Sequence, residues 1–146
     1  MENQARTSRF EHLKKGYSEA GLPMTTQRRA LLEVLAGRLD HPTVDQLHAE
    51  LTESLPEVSK TTVYRSLEVM EGIGLLQRVE HPGAAVRFDP NTEPHHHFVC
   101  TACGSLTDLP LAALKGAGEL QVVGPDGGVV EEISVMVRGR CAACST

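Results

Sequence analysis

Two C-x-x-C pairs, Cys100–Cys103 and Cys141–Cys144, constrain this chain more than any other feature. Each pair can chelate one metal ion from a tight turn, and two pairs complete a tetrahedron. Four thiolates suit Zn2+, which has no redox chemistry and accepts a closed site. The gap between the pairs is longer than in a zinc ribbon, so the ion would staple the end of the chain onto its own domain. The competing readings are two disulfides or a thioredoxin-like redox pair. Residues 1–10 are polar, without the apolar core of a signal peptide, and no apolar run reaches the roughly 18 residues of a membrane span. The expected location is therefore cytoplasmic, where disulfides are disfavoured, and no βαβ unit surrounds either pair. Composition points the same way. In 146 residues aromatics make up 3% and Trp is absent, so little apolar area is available and a metal or a partner chain would help folding.

The first ninety residues read as helices followed by a hairpin. Phe10, Leu13 and Tyr17 recur at helical spacing over 10–20. Leu31, Leu32 and Leu35 share one face of a helix over 28–39, preceded by Thr25 and Thr26. Thr43 and Gln46 form a capping box for a helix carrying Val44, Leu47, Leu51 and Leu55, which Pro56 should end. Ser59 caps a further helix that turns Val63, Leu67 and Met70 inward and stops at Gly72 and Gly74. Strand-like runs at 75–80 and 85–89 flank Pro82–Gly83. This is the outline of a winged helix-turn-helix over 1–88. Residues 89–94 are rich in turn formers and read as a hinge. Over 95–146 the pattern changes to strands at 97–101, 120–123 and 129–137, with a short helix start at 110–114. The fold class is therefore α+β, a winged helix followed by a small α/β domain with an antiparallel sheet.

The net charge of −5 argues against a globally basic nucleic-acid binder. Residues 1–90 carry 11 Lys/Arg against 13 Asp/Glu (net −2), and 91–146 carry 3 against 6 (net −3). DNA binding must therefore rest on a local face. Ser59, Lys60, Thr61, Thr62, Tyr64 and Arg65 supply one, at the start of a helix with no acid before Glu68. Helix N-termini bind phosphate, hydroxyls reach the DNA backbone, and Arg can read guanine. The alternative is an ordinary solvated helix face. Lys14 and Lys15 are further phosphate-contact candidates.

His95–His96–His97 precede the first C-x-x-C pair. In a strand, His95 and His97 point the same way and can present two imidazoles to one metal, with His96 turned away. The alternative is a solvated strand start. Asp89 and Asp108 are nearby carboxylates, but a turn before Pro90 and a helix cap before Pro110 are the commoner reasons for an Asp at such places. His41 is one of several remaining histidines, alongside His12, His48 and His81.

Together, the segments 20–28 (AGLPMTTQR), 40–47 (DHPTVDQL), 59–79 (SKTTVYRSLEVMEGIGLLQRV), 87–89 (RFD), 95–104 (HHHFVCTACG) and 141–144 (CAAC) resemble the ferric uptake regulator (Fur) family over nearly the whole chain. The resemblance implies a homodimer, with 95–146 as the dimerisation and zinc-binding domain and double-stranded operator DNA as partner. It is greatest to the peroxide-sensing, PerR-like branch, whose regulatory site of three His and two Asp is matched by His41, Asp89, His95, His97 and Asp108. Zinc sensors of the family usually carry Cys, and iron sensors Glu, where Asp89 stands. Pro94 replaces a further His of many iron sensors. An all-N/O donor set suits Fe2+ or Mn2+. The resemblance implies that one such ion acts as corepressor by fixing the domain angle, and that peroxide acting on the iron form oxidises His41 or His95 and releases DNA. The alternatives are an iron- or manganese-responsive repressor without peroxide sensing, a metalloenzyme using the His/Asp set, and a zinc-stapled interaction module. No enzymatic activity is expected: no general base stands out, and ligands from two domains pre-organise catalysis poorly.

Overall fold

The computed structural model describes residues 2–38, 40–80, 85–114 and 122–146. Leu39, His81, the expected turn at Pro82–Gly83 and the expected strand start at 120–121 lie outside them. Two compact units emerge, Met1–Thr92 and Glu93–Thr146. Among the described residues, no helix is long and apolar enough to cross a membrane.

The first unit is built on α1 (Glu2–Glu19), α2 (Thr26–Ala36), α3 (Val44–Leu51) and α4 (Lys60–Gly72), followed by β1 (Gln77–Val79) and β2 (Arg87–Asp89). Each of the last three helices begins on a hydroxyl cap. Thr25 accepts from the Arg28 N–H, Thr43 from that of Gln46, and Ser59 from that of Thr62. Gln46 returns the bond to the Thr43 N–H, completing the expected capping box. α3 stops at Leu51, a turn before Pro56, where the bonding tightens to three-residue spacing, with the Glu53 N–H on the Glu50 carbonyl and the Ser54 N–H on that of Leu51. After α4 the chain reverses through Gly74 at φ +79°, where the left-handed backbone favours glycine.

α1 begins eight residues before the periodic Phe10–Leu13–Tyr17 set. Its first half is polar, and side-chain bonds rather than apolar packing attach it. Arg9 donates to the Ala36 carbonyl (2.8 Å) and Arg6 to that of Glu33 (3.4 Å), so both cap the C-terminal end of α2. The core joins Leu13 and Tyr17 to Leu31, Leu32, Leu35, Leu47, Leu51, Val63, Leu67, Met70 and Phe88. β1 and β2 pair antiparallel, Arg78 opposite Phe88, and Thr43 bridges to Arg87. Helices followed by a small β-ribbon make this unit the expected winged helix.

In the second unit, β3 (His96–Cys100) lies between β4 (Leu106–Leu109) and β5 (Met136–Gly139). The β3–β4 pair is antiparallel, as expected, and β5 adds a parallel neighbour. The expected strands at 120–123 and 129–137 are corrected. Residues 122–123 and 128–135 carry no strand, and pairing begins only at Met136. Val123 and Val129 are 86% and 88% exposed, and among the described residues the run has no neighbouring strand to fix it. The expected helix start at 110–114 is a single 3-10 turn, Leu111–Ala113.

Candidate functional site

The four cysteines converge within the second unit. Cys100 ends β3, and the loop to β4 closes with the Gly104 N–H on the Cys100 carbonyl (2.8 Å), Gly104 adopting φ +74°. β5 runs beside β3 with Gly139 opposite Cys100, which delivers Cys141 next to it. Cys144 then folds back through a 3-10 turn. None of the four is bridged, and their sulfurs all lie within 4.8 Å of one another. A tetrahedral zinc with Zn–S of about 2.3 Å requires S···S edges of about 3.8 Å. The Cys103–Cys141 sulfurs are 3.8 Å apart.

The electrostatics also suit a cation. Backbone N–H groups of Cys103 and Cys141 each point at the Cys100 sulfur from 3.4 Å and, with the Cys103 bond the larger cause, pull its pKa down to about 6. The Ser105 hydroxyl, 3.2 Å from the Cys103 sulfur, lowers that thiol too. Cys144 is instead pushed up to about 12, first by Cys141 and then by Cys100 and Cys103. Four crowded sulfurs resist full ionisation unless a cation neutralises them, which is the requirement a structural zinc meets.

A second donor set lies at the other end of β3. His97 stands opposite Asp108 in the β3–β4 register. The Nε2 atoms of His95 and His97 are 3.1 Å apart, and Asp108 Oδ1 is 3.1 Å from the first and 3.5 Å from the second. The His95 Nδ1–H donates to the Glu93 carbonyl, which fixes the tautomer and turns the Nε2 lone pair toward His97 and Asp108. His96 faces the other way and accepts the Val135 N–H on Nδ1 (3.0 Å). Two ring nitrogens and a carboxylate oxygen at these separations suit a borderline divalent cation.

In the first unit, His41 and Asp89 meet. Both are buried, with His41 Nε2 3.1 Å from Asp89 Oδ2. The Asn91 N–H donates to the other Asp89 oxygen, and Arg87 donates to the His41 carbonyl. The Thr43–Arg87 bridge brings these two stretches together.

The start of α4 exposes Ser59, Lys60, Thr61, Tyr64 and Arg65, with Thr62 half-buried. Several of these groups already have partners. Lys60 pairs with Asp45 on α3 (3.0 Å), the Thr62 hydroxyl lies 3.0 Å from that of Ser59, and the Tyr64 hydroxyl accepts from Arg78. On α1, Lys15 is exposed and paired with Glu19 (3.7 Å), while Lys14 is half-buried.

Comparison with known proteins decides the family. The model of the ferric uptake regulator family matches residues 19–132. The chain belongs to that family. Over 97 residues it is 34% identical to the peroxide-responsive repressor PerR of Staphylococcus aureus; this stretch covers 66% of the chain and 66%, just under two thirds, of that protein. The fold is similar to that of the Campylobacter jejuni peroxide stress regulator, with 31% identity, a TM-score of 0.65, and 92% of this chain and 97% of that chain covered. It also resembles that of the Helicobacter pylori ferric uptake regulator, with a TM-score of 0.75 at 20% identity, over 97% and 94% of the two chains.

Beyond the expected residues, this Fur-family chain uses groups that no local pattern singled out. The Arg87 guanidinium, on the His41 carbonyl, and the Glu93 backbone carbonyl, on His95 Nδ1, orient two candidate ligands. Arg78 ties β1 to α4 at Tyr64 and Glu71. The strand alternation around His95–His97 signalled the orientation of those imidazoles but not the groups that hold them.

Proposed function

We propose that this protein is a homodimeric, metal-dependent transcriptional repressor that binds operator DNA and senses peroxide. The convergence of His95, His97 and Asp108 within 3.5 Å carries the reading. The His41–Asp89 pair supports it, as does similarity to a peroxide-responsive repressor and a peroxide stress regulator. The five residues together hold one regulatory Fe2+ or Mn2+, while Cys100, Cys103, Cys141 and Cys144 hold a structural Zn2+. Metal binding selects the DNA-competent state. Ser59, Lys60, Thr61, Thr62, Tyr64 and Arg65 form the DNA face, with Lys14 and Lys15 on the phosphates. The exposed Val122, Val123, Val129 and Ile133 support a second copy as the cover for that segment.

Bound Fe2+ would supply one-electron chemistry with peroxide, which Mn2+ would not. The chain's own part is to hold imidazole carbons of His41 or His95 beside the site, where one oxygen is gained and the ligand lost. Iron-loaded protein exposed to peroxide should release DNA and gain one oxygen on a peptide containing His41 or His95, and manganese-loaded protein should do neither. DNA release from the iron form with both peptides unchanged would contradict the oxidation mechanism.

A further inference from the structure

We infer that Arg78 is a positioning residue for DNA recognition: it grips the Tyr64 hydroxyl oxygen and turns the phenol proton outward, toward a hydrogen-bond acceptor on DNA. This rests on the reading of α4 as the recognition helix.

Tyr64 lies on the outer face of α4, 36% exposed, beside the buried Val63 that anchors this turn. A lone phenol on such a face is free to rotate about χ1 and χ2. Here it is not free, because both terminal nitrogens of Arg78 lie 3.2 Å from its oxygen. The guanidinium is itself fixed from two sides. Its Nε donates to Glu71 Oε2 at 3.0 Å, two helical turns along the same face of α4 as Tyr64. Its carbon stands 5.7 Å from the Phe88 ring centroid, and Phe88 is the fully buried cross-strand partner of Arg78. A fork held at three points is a rigid support, which a flexible ammonium would not provide.

The consequence follows from donor and acceptor accounting. A guanidinium donates and never accepts, so both bonds use the lone pairs of the phenol oxygen. The O–H proton has no acceptor in Arg78 and must point elsewhere. The cation behind the oxygen also polarises the O–H bond and makes it a better donor. Phosphate oxygens and the groove edges of thymine and guanine are acceptors. Tyr64 thus becomes a preset donor, its direction set by a residue of the wing.

The test uses the full-length protein loaded with zinc and Mn2+, and a duplex selected from a randomised pool by the wild type. The chain has two tyrosines, so 3-fluorotyrosine labelling gives two 19F resonances, with buried Tyr17 as internal reference. Without DNA, R78Q should move the Tyr64 resonance and leave that of Tyr17 in place. With DNA, R78Q and Y64F should each weaken binding about tenfold, the loss of one charge-assisted hydrogen bond. The double variant should be no weaker than Y64F, and R78K should fall between wild type and R78Q. Additive losses, an unmoved Tyr64 resonance, or wild-type affinity in Y64F would each overturn the proposal. If the wild type selects no duplex with any metal, the DNA-binding reading fails and this proposal falls with it. Selection by the wild type with additive losses overturns the proposal alone.

Discussion

Among the described residues, the first unit buries leucines from all four helices, with Val63, Met70 and Phe88, while the second buries little apolar surface beyond Val99 and Cys100. Its other buried side chains are His95, His96 and His97. The comparison teaches where each unit draws its stability. The winged helix follows from apolar periodicity and hydroxyl caps. On the proposed reading the second unit is closed by ligand chemistry, with a zinc on the four sulfurs, which lie within 4.8 Å of one another, tying the end of β3 to the segment after β5. A chain with 3% aromatic residues can fold two units this way because the second does not depend on a large core.

Zinc removal or Cys141→Ser is the strongest way to break this contrast. Small zinc sites contribute about 10–16 kcal/mol at neutral pH, more than such a unit gains from packing. Hydrogen exchange should show β3, β4 and β5 losing protection while α2, α3 and α4 keep theirs. Equal loss in both units would erase the distinction. Leu67→Ala probes the other side. A fully buried leucine costs about 2–5 kcal/mol on truncation, so the first unit should melt earlier with zinc content unchanged. Thr43→Ala removes the capping box and should cost about 1 kcal/mol in denaturant unfolding of the first unit only. Tyr17→Phe should have the smallest effect. Among the described residues the buried Tyr17 hydroxyl has no hydrogen-bond partner, and burial pushes its pKa up. Removing it should leave stability unchanged or raise it by up to about 1 kcal/mol. A loss of stability there would mean that the hydroxyl is satisfied in solution.

The readable parts of the chain were those coded locally. Caps at Thr43 and Ser59 are defined within a few residues, and so are the inward rows on α2 and α4. The opposite orientations of His96 and its neighbours follow from the two-residue period of a strand. Contacts across long separations were not readable that way. The approach of His41 to Asp89 spans 48 residues, and only family resemblance distinguished His41 from His12, His48 and His81. The Arg78–Tyr64 bond leaves no periodic trace, because one arginine in a short strand looks like any solvated charge. The 129–135 run read as strand because its valines favour strands, but a strand also needs a neighbour to pair with, and among the described residues this run has none.

The central claim is a division of labour: the thiolate centre holds the fold, and the imidazole–carboxylate centre controls DNA binding. His41→Ala and His97→Ala test it directly, with zinc per chain and Mn2+-dependent DNA affinity measured on the same samples. The account predicts zinc content equal to wild type and DNA affinity that no longer responds to Mn2+. Loss of zinc, or an undiminished Mn2+ response in both variants, would contradict it.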